Sequence, residues 1–337
     1  MITYQDIPIA TYGGAETLKL REQQASETLA PDDVAISVKY SGINFAEIQM
    51  RNGFYPDAPK KPFVPGYEVS GTVERVGSAV STFAPGDTVV AGTYFGGYAS
   101  RVTVKEHQVF PLPQTTSLAE GAALPVNFFT AHLALVEMAR VREGDKVLIE
   151  CATGGVGTLA IQMCRFVGAD VVGLTTSAHK KGYIEALGAR AYTVQEFAES
   201  NDPALRGFDL IVNASGGKAI KEQMQRLDFT GRIICLGMSS GVKDGKRSLL
   251  RMGCAALATP RISVLKLFDQ SVGVYALNAL RVLSEERWVE RLTKNLADVE
   301  RMSLKPHVGK VFPAQDIGAA HEFLQTKKAT GKVLLEW

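Results

Sequence analysis

Cysteine is scarce in this chain: 337 residues carry four, at 151, 164, 235 and 254, and none precedes Cys151. No two are close enough to form a Cys-x-x-Cys clip, so a zinc lobe built on clustered thiolates is excluded. Standing singly in strand-like or helical contexts, the four read as free buried thiols in a reducing cytoplasm. Charge of one sign is lacking too. The net charge is +2 with 21% charged residues, which gives nucleic-acid binding no support. The opening Met1-Ile-Thr-Tyr-Gln-Asp6 has neither the basic start nor the apolar centre of a signal peptide, and a cytoplasmic protein is expected. The longest apolar stretch, Gly121 to Ala139, contains Pro125, Asn127, His132 and Glu137, all costly in hydrocarbon, so no membrane span is expected. The five histidines (107, 132, 179, 307, 321) show no ligand spacing and read as surface or core-edge residues. Internal repeats and low-complexity segments are absent.

What is present is a globular composition, 46% hydrophobic, in a chain long enough for two domains. The first third is β-rich: Val34 to Tyr40 alternates, Val69 to Val76 and Gly97 to Val104 are strand-like, and Pro85-Gly86-Asp87 marks a turn. From about Leu124 strands and helices alternate. Strands are expected at Val147 to Ala152, Val171 to Leu174, Phe208 to Ala214 and Arg232 to Leu236. Helices are expected at Thr158 to Val167, Lys180 to Leu187 and Lys218 to Leu227. That rhythm implies a doubly wound parallel sheet. The tail, with a helix near Asp316 to Gln325 and a strand at Lys332 to Leu335, returns to a mixed pattern.

The most informative stretch is Asp145-Lys-Val-Leu-Ile-Glu-Cys-Ala-Thr-Gly-Gly-Val-Gly157. An apolar strand breaks at Gly154, Gly155 and Gly157, and a helical pattern follows, with Leu159 and Met163 on one face. Glycines at such a junction let backbone approach a pyrophosphate, and the new helix offers unpaired N–H groups and a favourable dipole. Ala152 replaces the first glycine of the usual Gly-x-Gly-x-x-Gly pattern, but the strand before and the helix after supply the context that pattern needs. The junction reads as a nucleotide site.

Ser41-Gly-Ile-Asn44, Arg51-Asn-Gly-Phe-Tyr55, Pro65-Gly-Tyr-Glu68-Val-Ser-Gly71, Gly96-Gly-Tyr-Ala99, Ala122-Ala-Leu-Pro125, Ala152-Thr-Gly-Gly-Val-Gly157, Gly231-Arg232 and Gly331-Lys-Val333 occur in an order that resembles the medium-chain dehydrogenase/reductase superfamily over essentially the whole chain. Within it the chain is similar to the zinc-free quinone oxidoreductases. Gly245-Lys-Arg247, Thr259-Pro-Arg-Ile262 and Ser271-Val-Gly273 further resemble the VAT-1 homologue branch. The region from Asn44 to Tyr55 also resembles polyketide-synthase enoyl reductase modules. The resemblance implies an α/β protein with a GroES-like β-rich catalytic domain (1–124 and 279–337) and a Rossmann domain (125–278). It also implies a homodimer.

Zinc-dependent relatives carry Cys where Asn44 stands and His where Tyr67 stands, so the resemblance implies a zinc-independent site. Without a Lewis acid, a quinone or conjugated enone is the suitable hydride acceptor, because the resulting anion is delocalised and hydrogen-bond donors can stabilise it. An NAD site usually has an acid at the end of its second strand; here Thr175 takes that place. Losing the carboxylate removes repulsion against a 2′-phosphate, and Ser177 and Lys180 offer a donor and a positive charge. NADPH is therefore the expected cofactor, although Lys180 also reads as a solvated helix-start lysine. Gln195 stands where relatives often have a phosphate-contacting tyrosine. The resemblance adds Thr130 near the nicotinamide, Ala214 through Gly217 and Gly237 after strands of the sheet, and Lys332 and Val333 closing over the cofactor. The pyrophosphate contacts would be Ala152, Thr153, Gly154, Gly155, Val156 and Gly157. Asn213, often Asp in relatives, reads as structural.

For catalysis, the Tyr55 phenol can donate toward a developing oxyanion. Asn44 can donate there too, or anchor its loop. Glu47 and Arg51, four apart, read as an ion pair, and Tyr67 as structural. Residues Leu249 to Phe268, with Arg251, Arg261 and Lys266, are expected to line a substrate mouth or to pack in a dimer, with their charges solvated. Three functions stay open. They are an NADPH-dependent reductase of small electrophilic quinones or enones, an enoyl-thioester (enoyl-CoA or ACP) reductase, and a nucleotide-binding interaction protein with little turnover.

Overall fold

The computed structural model describes residues 1–237 and 259–337. Residues 238–258 lie outside the described residues, and with them Gly245-Lys-Arg247, Arg251 and Cys254. The chain divides into two compact units, one holding 1–126 and 280–337, the other 127–237 and 259–279.

The first unit is built on a seven-stranded, mostly antiparallel sheet. Its longest strand, Asp33–Ile43, pairs with Glu68–Val76, Arg101–Lys105 and Lys332–Glu336. Alternation along it buries Val34, Ile36 and Val38 and exposes Ser37 and Lys39, so its apolar side packs against Val69, Val73, Val89 and Val102. The chain's end returns here: Val308–Pro313 runs parallel to Lys332–Glu336, which places Val333 opposite Ile43. A second core gathers Ile7, Ile9, Met50, Tyr67, Tyr98, Phe312 and Ile317.

The second unit contains a six-stranded, wholly parallel sheet. Across it the strands run Arg190–Thr193, Asp170–Thr175, Lys146–Ile149, Phe208–Asn213, Leu227–Cys235 and Gly273–Ala276. In chain order that is 3-2-1-4-5-6, the doubly wound order whose switch point falls between Lys146–Ile149 and Phe208–Asn213. Val147, Leu148, Ile149, Ile211 and Ile233 are fully buried, as expected of strands covered on both faces.

Several element boundaries differ from the sequence pattern. The first parallel strand stops at Ile149 and the helix begins at Gly155, three residues before Thr158. Glycine's low helix propensity masks this first turn, which tertiary packing fixes. The helix after the fourth strand is Lys218–Met224, and the fifth strand already starts at Leu227. Cys151 is exposed, against the expectation of buried thiols; it sits in the turn after the strand with a left-handed backbone. Burial raises the Cys164 thiol to about 12 and the Cys235 thiol to about 11. His132 and His321 are buried rather than at an edge. His321 is accommodated by a 3.1 Å hydrogen bond between its Nε2 and the Tyr98 hydroxyl, and burial holds its pKa well below the ordinary value. Among the described residues no helix is long and apolar enough to cross a membrane.

Candidate functional site

In the second unit, the strand Lys146–Ile149 gives way to a turn and then to the twelve-residue helix Gly155–Phe166, with Gly154 as N-cap. The turn is held by Gly154 N–H donating to Cys151 O at 2.8 Å and Ala152 N–H donating to Leu174 O at 3.0 Å. Ala152 and Thr153 are buried, while Gly154, Gly155 and Val156 are partly open. The amides of Gly155, Val156 and Gly157 form the first helical turn and have no acceptor within the helix. Each glycine has its own reason. A Cβ on Gly157 would lie 2.8 Å from Ala152 Cα, so a side chain there would push the helix off the turn that precedes it. On Gly155 it would lie 2.7 Å from Asn127 Cγ. On Gly154 it would meet only Cys151 O, at 3.2 Å, leaving an open approach to backbone. Free amides at a helix start beside open backbone are an arrangement that can receive an anion.

At the end of the neighbouring strand, Thr175 is buried and its Oγ1 accepts from Ser177 N–H at 3.4 Å. Ser177 is partly exposed, and its carbonyl accepts from Lys180 N–H at 3.0 Å. Thr175, Ser177 and Lys180 thus share one turn. Lys180 is only 5% exposed and is not the solvated lysine of the alternative reading; burial lowers its pKa. Gln195 lies on the helix Val194–Glu199, exposed, with its amide donating to Glu199 Oε1 at 2.9 Å. Thr130 is buried in the helix Pro125–His132. Gly237 is exposed, with open space where a Cβ would stand.

After the fourth strand, Ala214 N–H and Ser215 N–H both donate to Glu150 Oε2 at 2.9 Å. Asn213 is fully buried. Its Oδ1 accepts from Gly216 N–H and its Nδ2 donates to Gln223 Oε1, each at 2.9 Å. Sequence reasoning misses Glu150 and Gln223; nothing but a charge at the end of an apolar strand marks the first.

In the first unit a polar cluster is buried around Asn44. Asn44 N-caps the helix Phe45–Arg51 in a capping box, its N–H donating to Glu47 Oε2 at 2.9 Å. Its Nδ2 donates to Glu47 Oε1 and Glu68 Oε1, both at 3.2 Å, while its Oδ1 accepts from Lys332 Nζ at 2.5 Å. Lys332 Nζ also bonds Glu68 Oε1, and Glu68 Oε2 accepts from Val126 N–H at 2.8 Å. Burial raises the Glu47 carboxyl to about 7, although Lys332 and Asn44 oppose the rise.

This geometry bears on three expectations. Of the two readings of Asn44, its contacts favour the anchor: Oδ1 and Nδ2 are both engaged within the cluster. Lys332 and Val333 are buried in their own unit, where the Lys332 ammonium meets this cluster and Val333 joins the core. Glu47 and Arg51 form no ion pair. Glu47 turns to the helix N-terminus as a cap, while Arg51 Nη2 at the other end donates to Gln325 Oε1 at 2.6 Å.

Tyr55 is half-buried, and burial raises its pKa above the ordinary value of 10.0. The Tyr67 hydroxyl is set against that of Tyr55, which opposes the rise at Tyr55 and adds to the one at Tyr67. Tyr67 also packs edge-on against Phe95, ring centroids 5.6 Å apart. Among the described residues no three His, Cys, Asp or Glu side chains gather to hold a metal ion.

Residues 30–114 match the alcohol dehydrogenase GroES-like domain family, and residues 185–335 match the zinc-binding dehydrogenase family. The chain is 31% identical to the synaptic vesicle membrane protein VAT-1 homolog of Rattus norvegicus, over 96% of its own length and 82% of that protein's. It is 30% identical to the quinone oxidoreductase of Homo sapiens, over 98% of its own length and 96% of the relative's. Its fold matches that of Escherichia coli quinone oxidoreductase complexed with NADPH, with a TM-score of 0.84 at 23% identity, over 99% of this chain and 100% of the other. With a GroES-like unit, a doubly wound parallel sheet and these relatives, the chain belongs to the medium-chain dehydrogenase/reductase superfamily of oxidoreductases, among the quinone oxidoreductases and VAT-1 homologues.

Proposed function

We propose that this chain is an NADPH-dependent, zinc-independent reductase that transfers hydride to a quinone or an α,β-unsaturated carbonyl, acting as a cytoplasmic homodimer. The observation that carries the reading is the turn after the second parallel strand, where Thr175 replaces an acid and Ser177 and Lys180 follow in the same turn. The relatives agree with it in kind: one is called a quinone oxidoreductase, and a solved enzyme of the same fold is complexed with NADPH.

The residues fit the cofactor. The open backbone at Gly154 and the amides of Gly155, Val156 and Gly157 would hold the pyrophosphate. Ser177 and Lys180 would meet the 2′-phosphate, with no carboxylate at Thr175 to repel it. When bound, NADPH supplies the hydride. Tyr55 supplies a hydrogen bond to the acceptor oxygen, where negative charge grows. A zinc ion fits poorly: Asn44 and Tyr67 offer an amide and a phenol, and the Glu68 carboxylate is occupied by the Lys332 ammonium. For the homodimer, the support is Gly273–Ala276, the last strand of its sheet, where exposed Val264, Phe268 and Tyr275 line one cavity.

The deciding experiment is a panel of quinones, enals, enones and enoyl-CoAs with NADPH, following loss of cofactor absorbance and product identity, together with elemental analysis. Turnover of quinones or enones by metal-free protein supports the proposal. Preference for enoyl-CoA selects the enoyl-thioester reading. No turnover with any acceptor leaves a nucleotide-binding protein, and activity that requires stoichiometric zinc overturns the zinc-independent mechanism.

A further inference from the structure

We infer that Glu150 is a positioning residue that sets the backbone of the Ala214–Gly216 loop in its nucleotide-receiving shape, through a directed chain of hydrogen bonds with Gln223 and Asn213. The inference rests on the proposed cofactor site for its functional consequence, but its structural core is independent of it.

Glu150 immediately follows the first parallel strand, and its N–H still donates to Val212 O of the fourth strand, at 3.0 Å. The side chain is buried, with the residue 5% exposed. It bridges the carboxyl ends of the two strands that flank the switch point, the edge where an open α/β sheet receives ligands. A carboxylate removed from water needs donors on both oxygens. Here Oε2 takes Ala214 N–H and Ser215 N–H, and Oε1 takes Gln223 Nε2 at 2.5 Å. Gln223 then uses its Oε1 to accept from Asn213 Nδ2, and Asn213 uses its Oδ1 to accept from Gly216 N–H. Three successive loop amides are therefore satisfied by side chains, and every side-chain amide in the relay has a defined orientation. Gly216 and Gly217 take positive φ angles (68° and 59°), so the path onward depends on fixed amides before it.

The polarity yields a test that simple packing would fail. In Glu150→Gln, one oxygen still accepts the loop amides, but the new NH2 group faces the Gln223 NH2 group, donor against donor. The double variant, Glu150→Gln with Gln223→Glu, restores the polarity. Its amide at position 150 accepts from the two loop N–H groups through oxygen and donates through nitrogen to the new carboxylate at position 223. That carboxylate accepts from Asn213 as well.

The experiment is equilibrium NADPH binding, with KM and kcat for a turned-over acceptor, in the unmodified chain and both variants, plus amide hydrogen exchange at Ala214–Gly216 without nucleotide. Glu150→Gln is expected to weaken NADPH about tenfold or more, raising its KM over any change in kcat, and to speed exchange at the loop. The double variant is expected to recover most of both. Unchanged binding and exchange in Glu150→Gln, or a double variant as impaired as the single one, would overturn the inference. If Glu150→Gln does not fold, a folded, binding double variant supports it and an unfolded one overturns it. If the unmodified chain binds no nicotinamide nucleotide, the proposed function fails, while the exchange rates still decide the positioning role.

Discussion

Lys332 Nζ is hydrogen-bonded to the Glu68 carboxylate, with side-chain exposures of 3% and 0%. The pair ties the last strand of the chain to Glu68–Val76, and through Asn44 to the cap of the helix Phe45–Arg51. A buried pair of this kind adds little against a well-packed apolar replacement, yet removing one partner strands the other charge. Lys332→Met should therefore lower unfolding stability by about 3–5 kcal/mol, and adding Glu68→Gln should recover part of that loss. Urea unfolding of the single and double variants measures both. A double variant no more stable than Lys332→Met would show that the charge is not what matters.

Glu47 makes the same cluster pH-sensitive. Its carboxyl is raised from 4.5 to about 7 by burial, so the folded state favours the protonated form. The sign follows: this contribution is fully present below about 4.5 and is lost as pH rises through about 7. Relative to Glu47→Gln, the unmodified protein should lose stability across that window and keep a constant offset above it. Urea midpoints for the two proteins at several pH values check this, and parallel curves would refute it.

These contacts are not legible in the sequence, for a physical reason. Lys332 and Glu68 are 264 positions apart, and Glu150 lies 73 positions from Gln223. Neither pairing has a local period or spacing to betray it; each exists only because strand register brings the residues together. The glycine run at Gly154 to Gly157 is legible because it follows an apolar strand and opens a helical pattern, and at Gly157 the constraint is itself local, since a Cβ there would meet Ala152 in the preceding turn. The alternation that implies a parallel sheet is local in the same sense. Asn44 stands between these cases, since its N-cap role follows from Glu47 three residues on, but its two further partners do not.

Lys180 governs cofactor choice in the proposed site. Loss of a charge-assisted contact costs about 1.5–3 kcal/mol, so Lys180→Ala should weaken NADPH roughly ten- to a hundredfold and leave NADH almost unchanged. Because burial lowers the Lys180 pKa, its charge and with it the NADPH preference should fade as pH rises, beginning below the ordinary lysine value of 10.5. Titrations with both nucleotides decide it, and equal affinity for the two in the unmodified chain would defeat the claim.

The proposed homodimer makes Phe268, 83% exposed beside the last strand of the parallel sheet, a sensitive position. Phe268→Glu should shift a dimer toward monomer by placing a charge in a contact that must lose its water. Light scattering across a concentration series reads the change. A monomer in the unmodified protein would remove the proposal.

Tyr55 carries the chemical prediction. As hydride reaches an electron-poor carbon, negative charge grows on the conjugated oxygen, and a donor there lowers the barrier without binding the ground state much better. Burial raises the Tyr55 pKa, which keeps the hydroxyl protonated at neutral pH, and the neighbouring Tyr67 hydroxyl partly opposes that rise, favouring the phenol's acidity. Tyr55→Phe should therefore reduce kcat about ten- to a thousandfold while raising KM less. A quinone, which accepts charge readily, should suffer less than an enone, whose enolate needs more help. Tyr67→Phe leaves the Tyr55 hydroxyl in place and removes only its neighbour, so it should slow the enone by a smaller factor than Tyr55→Phe does. Steady-state kinetics at saturating NADPH, with both substrates and all three proteins, separate the effects. If Tyr55→Phe turns over both substrates at the unmodified rate, Tyr55 only shapes the pocket, and the proton must come from water or another side chain.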